Sequence, residues 1–315
     1  MLDCPVCKND LQESLRLYPK EMMTGKRIQF EYIYCSTCNC LFINDIPAGL
    51  DNYYKDYYTA RKKLSTTSKL VSIFWRVRSS VALAGLNPLF EFFRKNSILK
   101  WLSYLNTDFS DPILDVGCGN GDVLYEFWKH GFKNLTGVDP FYPNKSTEIF
   151  KWQFVNGDIF SIRNKKYKLI MFNHSLEHTF EHYKILTRAS ELLSENGRIM
   201  VRMPLINKAF EDYKENWVQL DAPRHLLIHS RKSFEILCPD LGLKIYKVFF
   251  DSTEVQFMGS IQYKKNISHY DPNSYKISIT DSIFTNKDVI YYSALAKHYN
   301  KLGLGDQAAF FLKPI

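Results

Sequence analysis

A short apolar strand that runs directly into a glycine-rich loop constrains this chain more than any other feature. The strand covers residues 112 to 116, and three glycines follow at every second position, Gly117, Gly119 and Gly121. Glycine lets the backbone approach a ligand closely, and the helix that follows directs its free N–H groups at that ligand. The stretch therefore predicts a ligand-binding loop in an α/β domain.

Strand and helix patterns alternate from residue 111 to about 204. Strands are predicted at 112–116, 134–139, 152–155, 168–172 and 198–202, and helices at about 121–130 and 180–193. This alternation predicts a Rossmann-like, doubly wound, mostly parallel sheet that binds ligands at the carboxyl ends of its strands. Further along, we predict a capped helix at 230–238 and strands at 243–250 and 305–312, whereas 251 to about 290 is ambiguous.

Acidic side chains lie at or near the ends of three predicted strands. Asp122 follows the third glycine, and an acidic side chain is unsuited to a position beside the phosphates of a dinucleotide. Asp115 adds a second negative charge near the loop, which suits a ligand with an amino group and a sulfonium. Asp139 ends the second strand, where a carboxylate accepts protons from a ribose diol. Asp158 and Ile159 follow the third strand, where they can bind an adenine amino group and pack on its ring.

These blocks resemble the class I S-adenosylmethionine (SAM)-dependent methyltransferases over residues 112 to 204. The block from Asn173 to His178 resembles the segment that closes the SAM pocket in that family, with Glu177 and His178 expected to satisfy free helix amides. The resemblance implies SAM as cofactor. The implied cofactor-binding residues are Asp115, Gly117, Cys118, Gly119, Gly121, Asp139, Pro140, Asp158, Ile159, Asn173 and His174.

A second cluster, at residues 217 to 225, follows the fifth strand, where such folds place loops that face the substrate. Together with a tyrosine-rich segment at 53–58 and the ending Gly-x-Gly-Asp-Gln-Ala-x-Phe-Phe, it resembles methyltransferases of bacterial sugar and surface-polysaccharide biosynthesis. The resemblance implies a sugar, nucleotide-sugar or glycan-precursor acceptor. The implied substrate-binding residues are Tyr57, Tyr58, Trp217, Arg224 and His225.

Histidines are the candidate catalytic bases, because imidazole can take a hydroxyl proton near neutral pH. We predict His225 and His174 for this role, with packing or hydrogen bonding as the alternative for both. In the sugar C-methyltransferase relatives a Glu-His pair occupies the loop, but here Arg224 precedes His225, so O-methylation is favoured over C-methylation. Arg224 is also suited to binding a phosphate or carboxylate on the acceptor.

Two Cys-x-x-Cys pairs near the start of the chain predict a structural zinc ribbon. Four thiolates from Cys4, Cys7, Cys35 and Cys38 suit tetrahedral Zn²⁺ with no open position. Cys40 is either a spare thiol or a competitor of Cys38, and a cluster that has lost its metal is the alternative. Cysteines in this spacing, with no signal peptide at the start of the chain, predict a cytoplasmic protein.

We predict three parts: a zinc-ribbon-like domain at 1–48, a basic helical segment at 49–110, and a SAM-binding domain at 111–315 with acceptor-binding insertions after about 204. The net charge is +8, and nine basic residues lie between 61 and 100 against the single acid Glu91. That segment is either a solvated helical face or a docking surface for something anionic, including a membrane surface.

Two other functions stay open at this point. The first is an RNA methyltransferase, since a four-cysteine ribbon also precedes the SAM domain in an rRNA guanine methyltransferase family. Binding of nucleic acid is disfavoured because the basic segment lacks an evident stacking platform. The second is a non-enzymatic SAM-binding partner in a biosynthetic complex.

Overall fold

The computed structural model describes residues 3–54, 69–83, 97–141 and 152–315, and two β-sheets organise them. The larger sheet has the strand order β10-β11-β8-β7-β4-β5-β6. Its strands are β4 (Ile113–Val116), β5 (Leu135–Asp139), β6 (Gln153–Asn156), β7 (Tyr167–Asn173), β8 (Leu193–Pro204), β10 (Leu243–Phe250) and β11 (Gln307–Pro314).

The larger sheet confirms the predicted Rossmann-like, doubly wound and mostly parallel arrangement. Strand β4 pairs in parallel with both β5 and β7, β5 pairs in parallel with β6, and β7 with β8. The final strand β11 lies antiparallel between β8 and β10. Successive strands therefore extend in opposite directions from β4, which opens a crevice at the carboxyl ends of β4 and β7.

Helices cover both faces of the larger sheet, as the alternating pattern requires. Along β7, Ile170 and Phe172 pack on one face, while Leu169 and Met171 pack on the other. Both faces are buried, which explains why the strand reads as a continuous apolar run. The described helices are α1 (Lys69–Leu83), α2 (Ser97–Leu102), α3 (Asp122–Lys129), α4 (His182–Leu192), α5 (Lys208–Tyr213), α6 (Arg231–Asp240), α7 (Val255–Lys264) and α8 (Asn286–Leu302).

The smaller sheet joins the N-terminal region to the rest of the chain. Its strands are β1 (Leu15–Leu17), β2 (Tyr32–Tyr34), β3 (Leu41–Ile43) and β9 (Leu227–Ile228), in that order, and all pairs are antiparallel. The cysteine-bearing turns share a hydrophobic core with the larger sheet. The division at residue 48 stays a prediction, but the sheet of the N-terminal region is completed by residues 227–228.

Several segments of the second half differ in detail from the prediction. Helix α6 begins after Ser230, whose side chain accepts a hydrogen bond from the Ser233 N–H, and it continues to Asp240 rather than ending at 238. The ambiguous segment after 250 contains α7, where a Cβ on Gly259 would lie 2.7 Å from Val218 Cγ2. This helix packs closely against Val218, and the hydrophobic periodicity of the sequence did not reveal it. Among the described helices, none combines the length and apolar composition needed to cross a bilayer.

Candidate active site

The glycine loop is held in shape by its neighbours on two strands. Gly117 and Gly121 have φ angles of 71° and 79°, a region that favours glycine. A Cβ on Gly117 would lie 2.4 Å from the Ser175 Cβ, and the Ser175 hydroxyl donates to the Val116 carbonyl at 2.7 Å. The backbone of the loop therefore passes directly beside the segment that follows β7, with no room for a larger residue.

Asp139 joins two walls of the site. Its Oδ2 accepts a hydrogen bond from the Gly119 N–H at 2.9 Å, and its Oδ1 accepts from the Phe141 N–H at 2.8 Å. The carboxylate is buried at the end of β5. It therefore stabilises the glycine loop and still lines the cavity beside it, where each oxygen keeps a second lone pair for a ligand.

Asp115 is a buried carboxyl group that lacks a compensating partner. It is 2% exposed, and its Oδ1 has no hydrogen-bond partner among the described residues. Burial raises the pKa of Asp115 to about 8, and the neighbouring Asp139 carboxylate adds to the rise. A buried charge of this kind is costly unless it is paired. The site therefore fits a ligand that brings a cationic group, as the amino group of SAM does.

A cavity of about 330 Å³ lies at the carboxyl ends of β4, β5 and β7. That volume falls within the usual range of small-molecule sites. Six of the predicted cofactor residues line it: Gly117, Asp139, Pro140, Asp158, Ile159 and His174. The lining also includes Ser175, Leu176 and His178 from the block predicted to close the pocket, Tyr54 from the tyrosine-rich segment, and Phe141 and Phe172, which the sequence did not single out.

Other predicted cofactor residues support the cavity from outside its lining. Asp115 lies beneath the loop, and Gly119 contributes its N–H to Asp139. Cys118 points at the sheet, since its Sγ lies 2.7 Å from where a Cβ on Gly137 would be. Asn173 accepts a hydrogen bond from Arg202 Nη1 at 3.2 Å. Gly121 precedes helix α3.

Asp158 has a local structural task besides lining the cavity. Its Oδ1 accepts hydrogen bonds from the N–H groups of Phe160 and Ser161 at 2.9 and 3.2 Å, which caps a short helical turn. This arrangement presents Ile159 and Phe160 at the cavity wall. An adenine ring can pack on these apolar side chains.

His174 lines the cavity and contacts a buried carboxylate. Its φ is 52°, a left-handed conformation that is uncommon outside glycine, and its Nδ1 lies 3.2 Å from Glu177 Oε1. Burial opposes the charge of Glu177, but hydrogen bonding from His174 and the nearby His178 and His225 hold its pKa at about 2. A histidine beside an ionised carboxylate is a suitable proton acceptor.

His225 lies behind the cavity wall. Its Nδ1 bonds to the Gln219 carbonyl at 2.8 Å, and its ring centroid is 4.9 Å from that of His178. Burial lowers the pKa of His225 to about 4. The ring is therefore neutral at physiological pH, and it is a weaker base than a solvated histidine.

The predictions for Arg224 and Trp217 as acceptor-binding residues do not match their surroundings. All five N–H groups of Arg224 are paired, with Asp221, Glu21 and the Tyr53 carbonyl. Trp217 is buried and donates its Nε1–H to Asp306 at 2.9 Å. Arg224 is thus held in a buried ion-pair network, and Trp217 is held by a separate buried hydrogen bond.

The predicted residues Tyr57 and Tyr58 lie outside the described residues, as does much of the basic segment at 61–100. The neighbouring Tyr54 does reach the site. Its hydroxyl donates to the Arg224 carbonyl at 3.1 Å, and its ring stacks on Phe141 at 6.0 Å between centroids. The tyrosine-rich pattern was the available signal for this contact, although it did not identify the residue.

The four predicted cysteines converge on one point. Cys4 and Cys38 have Sγ atoms 3.6 Å apart, as do Cys7 and Cys35, and one ligand atom from each of the four lies within 4.8 Å of all the others. Four thiolates around zinc at about 2.3 Å would be spaced by about 3.8 Å. Cys40 Sγ lies 3.5 Å from Cys4 and 3.4 Å from Cys38, so it sits against the same cluster.

The strand order, the glycine loop and the carboxylates define a class I methyltransferase fold. A sequence model of the methyltransferase domain family matches residues 74–248, more than half of the chain. This chain belongs to that methyltransferase domain family.

Individual relatives match shorter stretches. EEF1A lysine methyltransferase 2 of Danio rerio is 45% identical over 42 residues, which are 13% of this chain and 18% of that protein. Trans-aconitate 2-methyltransferase of Escherichia fergusonii is 28% identical over 137 residues, 41% of this chain and 48% of that protein. A cyclopropane synthase of Mycobacterium tuberculosis aligns in structure with a TM-score of 0.43 and 13% identity, over 81% of this chain and 87% of that one. The chain thus spans less than half the length of these two curated relatives.

Proposed function

We propose that this protein transfers a methyl group from SAM to an oxygen atom of a small-molecule acceptor, a sugar or glycan precursor. The single observation that carries the SAM assignment is the buried Asp115 carboxyl, which precedes the cavity-lining Val116 and Gly117 and whose Oδ1 has no hydrogen-bond partner among the described residues. A cationic amino group would compensate that charge, and Asp139 would accept protons from the ribose hydroxyls. Membership of the methyltransferase domain family supports the same assignment.

SAM supplies a methyl group on a positively charged sulfur. In the transfer, a bond forms between the acceptor oxygen and the methyl carbon, and the carbon–sulfur bond breaks with its electron pair left on sulfur. The protein's part is to hold the acceptor in line and to take its hydroxyl proton. His174 is the residue best placed for the proton, because it lines the cavity and its Nδ1 contacts the ionised Glu177. His225 is the second candidate for the proton acceptor. It does not line the cavity itself, but its ring contacts that of His178, which does.

The sugar-type acceptor follows from the resemblance of the 217–225 loop and the C-terminal block, which lie together in the fold. Trp217 and Asp306, one from each segment, share a hydrogen bond. O-methylation is favoured over C-methylation because the residue before His225 is Arg224 rather than glutamate. The curated relatives are named for two different acceptors, a protein lysine and trans-aconitate. They therefore support methyl transfer in general and do not favour one particular acceptor.

We also propose that Cys4, Cys7, Cys35 and Cys38 hold a structural Zn²⁺. The spacing of their sulfur atoms suits a four-thiolate site, and the cysteines belong to a core shared with the larger sheet. Cys40 is then the spare thiol of the cluster. The metal would stabilise the N-terminal turns against the domain that carries the cavity.

Ligand binding tests the cofactor assignment. Calorimetry with SAM and S-adenosylhomocysteine should show one site per chain, and Asp115→Asn should weaken SAM binding about 30-fold or more, as expected when a buried charge pair worth at least ~2 kcal/mol is lost. Asp108→Asn is a matched control, because Asp108 is exposed on the amino-terminal side of β4. A folded wild-type protein that binds neither ligand would overturn the proposal.

Turnover tests the acceptor. SAM consumption should be measured with sugars, nucleotide-sugars, small carboxylic acids, a lysine-containing peptide and RNA. Methyl transfer to a sugar or nucleotide-sugar hydroxyl is the expected result. Transfer confined to RNA would instead support the alternative of an RNA methyltransferase, and transfer confined to the peptide would contradict a small-molecule acceptor.

A further inference from the structure

Glu177, His178 and His225 form a cluster at the back of the cavity. The proposed function gives neither Glu177 nor His178 a chemical step of its own. One ligand atom from each lies within 4.8 Å of the other two. The Nε2 of His225 is 4.0 Å from Glu177 Oε1. Glu177 is fully buried and His225 is 5% exposed, whereas His178 lines the cavity. The cluster therefore connects a buried carboxylate to the space where an acceptor would bind.

The hydrogen bonds of the two histidines set their tautomers. His178 Nδ1 lies 2.9 Å from the Arg224 carbonyl, and His225 Nδ1 lies 2.8 Å from the Gln219 carbonyl. A carbonyl oxygen only accepts, so each Nδ1 carries the hydrogen. Each Nε2 then keeps its lone pair in the neutral ring. This pattern, with one ring nitrogen donating to a carbonyl, is the one that orients histidines as metal ligands.

Glu177 supplies the second, independent observation. Its Oε1 contacts His174, but its Oε2 is buried and has no hydrogen-bond partner among the described residues. Arg224, the arginine of the neighbouring loop, is already paired with Asp221 and Glu21. A buried carboxylate oxygen with no hydrogen-bond partner, beside two imidazole lone pairs, is a set of donor atoms that a bound cation would satisfy.

We propose that Glu177, His178 and His225 bind a divalent transition-metal ion, of which Zn²⁺ is the best match, beside the methyl-transfer cavity. Two imidazoles and one carboxylate are a donor set of catalytic zinc sites, which keep a coordination position open. Ligand atoms at about 2.0–2.2 Å from a common ion require the three side chains to close by roughly 1 Å.

The role of this ion rests on the proposed function. An open position next to the cavity would bind the acceptor's hydroxyl oxygen and lower its pKa, because a bound cation stabilises the negative charge left on oxygen. His174, which contacts Glu177 and lines the cavity, would then receive the proton.

Zinc titration tests the site without relying on turnover. Protein that already holds one zinc in the cysteine cluster is titrated with Zn²⁺ by calorimetry, and metal per chain is counted after gel filtration. A second equivalent is expected. Glu177→Gln, which keeps the side-chain volume, and His178→Ala, which leaves Tyr54 to bond the Arg224 carbonyl, should each weaken it roughly tenfold or more.

His298→Ala is the matched control, since His298 is exposed on α8 and should leave the second equivalent unchanged. Cooperative thermal unfolding of every variant shows that it is folded, and binding of S-adenosylhomocysteine by the wild type shows that its cavity is intact. Wild-type protein that binds this ligand but takes up no second zinc would overturn the metal site and leave the proposed function standing. A second zinc that persists in both Glu177→Gln and His178→Ala would also overturn it. Loss of S-adenosylhomocysteine binding in the wild type would instead count against the proposed function.

Discussion

Arg224 and Glu21 form a buried ion pair that joins the N-terminal region to the loop behind the cavity. Arg224 Nη2 lies 3.2 Å from Glu21 Oε1, and both side chains are fully buried. Glu21 also accepts hydrogen bonds from the backbone N–H groups of Thr24 and Lys26. The Arg224 carbonyl in turn accepts from His178 and Tyr54 at the cavity. Arg224 therefore adds a buried ionic link between the N-terminal region and the proposed active site.

Breaking this connection should destabilise the whole fold. Arg224→Ala leaves the Asp221 and Glu21 carboxylates buried without their shared cation, and such a loss costs about 3–5 kcal/mol. Urea denaturation of the wild type and the variant measures the difference in the free energy of unfolding. Lys184→Ala is the control, because its pair with Glu181 is exposed and is worth about 0–1 kcal/mol. Equal effects of the two substitutions would contradict the role of the buried pair.

Asp115 should make the ligand-free protein less stable as the pH rises. The pKa of this carboxyl is 3.8 in an ordinary environment and about 8 in the fold, so the folded state holds the proton more tightly than the unfolded state. Its stabilising contribution is complete below about pH 4 and is lost as the pH rises through about 8.

Asp115→Asn mimics the neutral form, so its advantage over the wild type should be below about 1 kcal/mol at pH 4 and about 4 kcal/mol at pH 7 without ligand. Denaturation series at several pH values measure this difference. The same variant should bind SAM poorly, so stability and function change in opposite directions. A difference that does not vary between pH 4 and pH 8 would show that burial is not the source of the effect.

His174→Ala should reduce kcat by a much larger factor than it weakens the affinity for S-adenosylhomocysteine, although His174 also lines the cavity. A positioned base contributes about 10²–10⁴-fold to the rate, and His174 contacts Glu177 without contributing to the main core clusters. Steady-state kinetics with the identified acceptor, together with calorimetry, separate the two effects. His298→Ala should change neither quantity. If His174→Ala kept the full rate, another group would be the base. His225→Ala would then be the next variant to measure.

The cysteine cluster should hold one tightly bound zinc that supports the fold. Cys35→Ser should remove that zinc and lower the melting temperature, since the cluster packs in the core shared with the larger sheet. Cys238→Ser is the matched control, because Cys238 is also buried but lies in helix α6, apart from the cluster. Metal analysis and thermal denaturation report the result. Zinc retained by Cys35→Ser would favour Cys40 as a replacement ligand.

Much of the larger sheet could be predicted because its signals are local. Short, mostly apolar stretches marked β4 and β7, the acidic end at Asp139 marked β5, and the glycines after β4 marked the ligand loop. The position of β11 between β8 and β10 could not be predicted, since pairing between strands so distant in sequence has no local signature. Helix α7 was missed because its packing against Val218 leaves no amphipathic pattern.

The candidate site was predicted in part for the same reason. Gly117, Asp139 and His174 follow strands that end at one edge of the sheet, and the structure places all three around the cavity. The tyrosine-rich segment was marked without identifying Tyr54, and Phe141 was not marked at all, because local sequence does not indicate which aromatic side chain will line a cavity.

The sequence by itself determined which chemistry is available: a backbone loop for a close ligand, carboxylates at strand ends, and paired cysteines. Each of these features depends on the spacing of a few residues along the chain. That spacing is the same in any fold that contains the same strands and turns. Only the tertiary structure decided that Arg224 faces Glu21 and Asp221 rather than an acceptor, and that His178 and His225 converge on Glu177. Those relationships depend on how the N-terminal sheet packs against the loop, and burial then determines which charges must be paired.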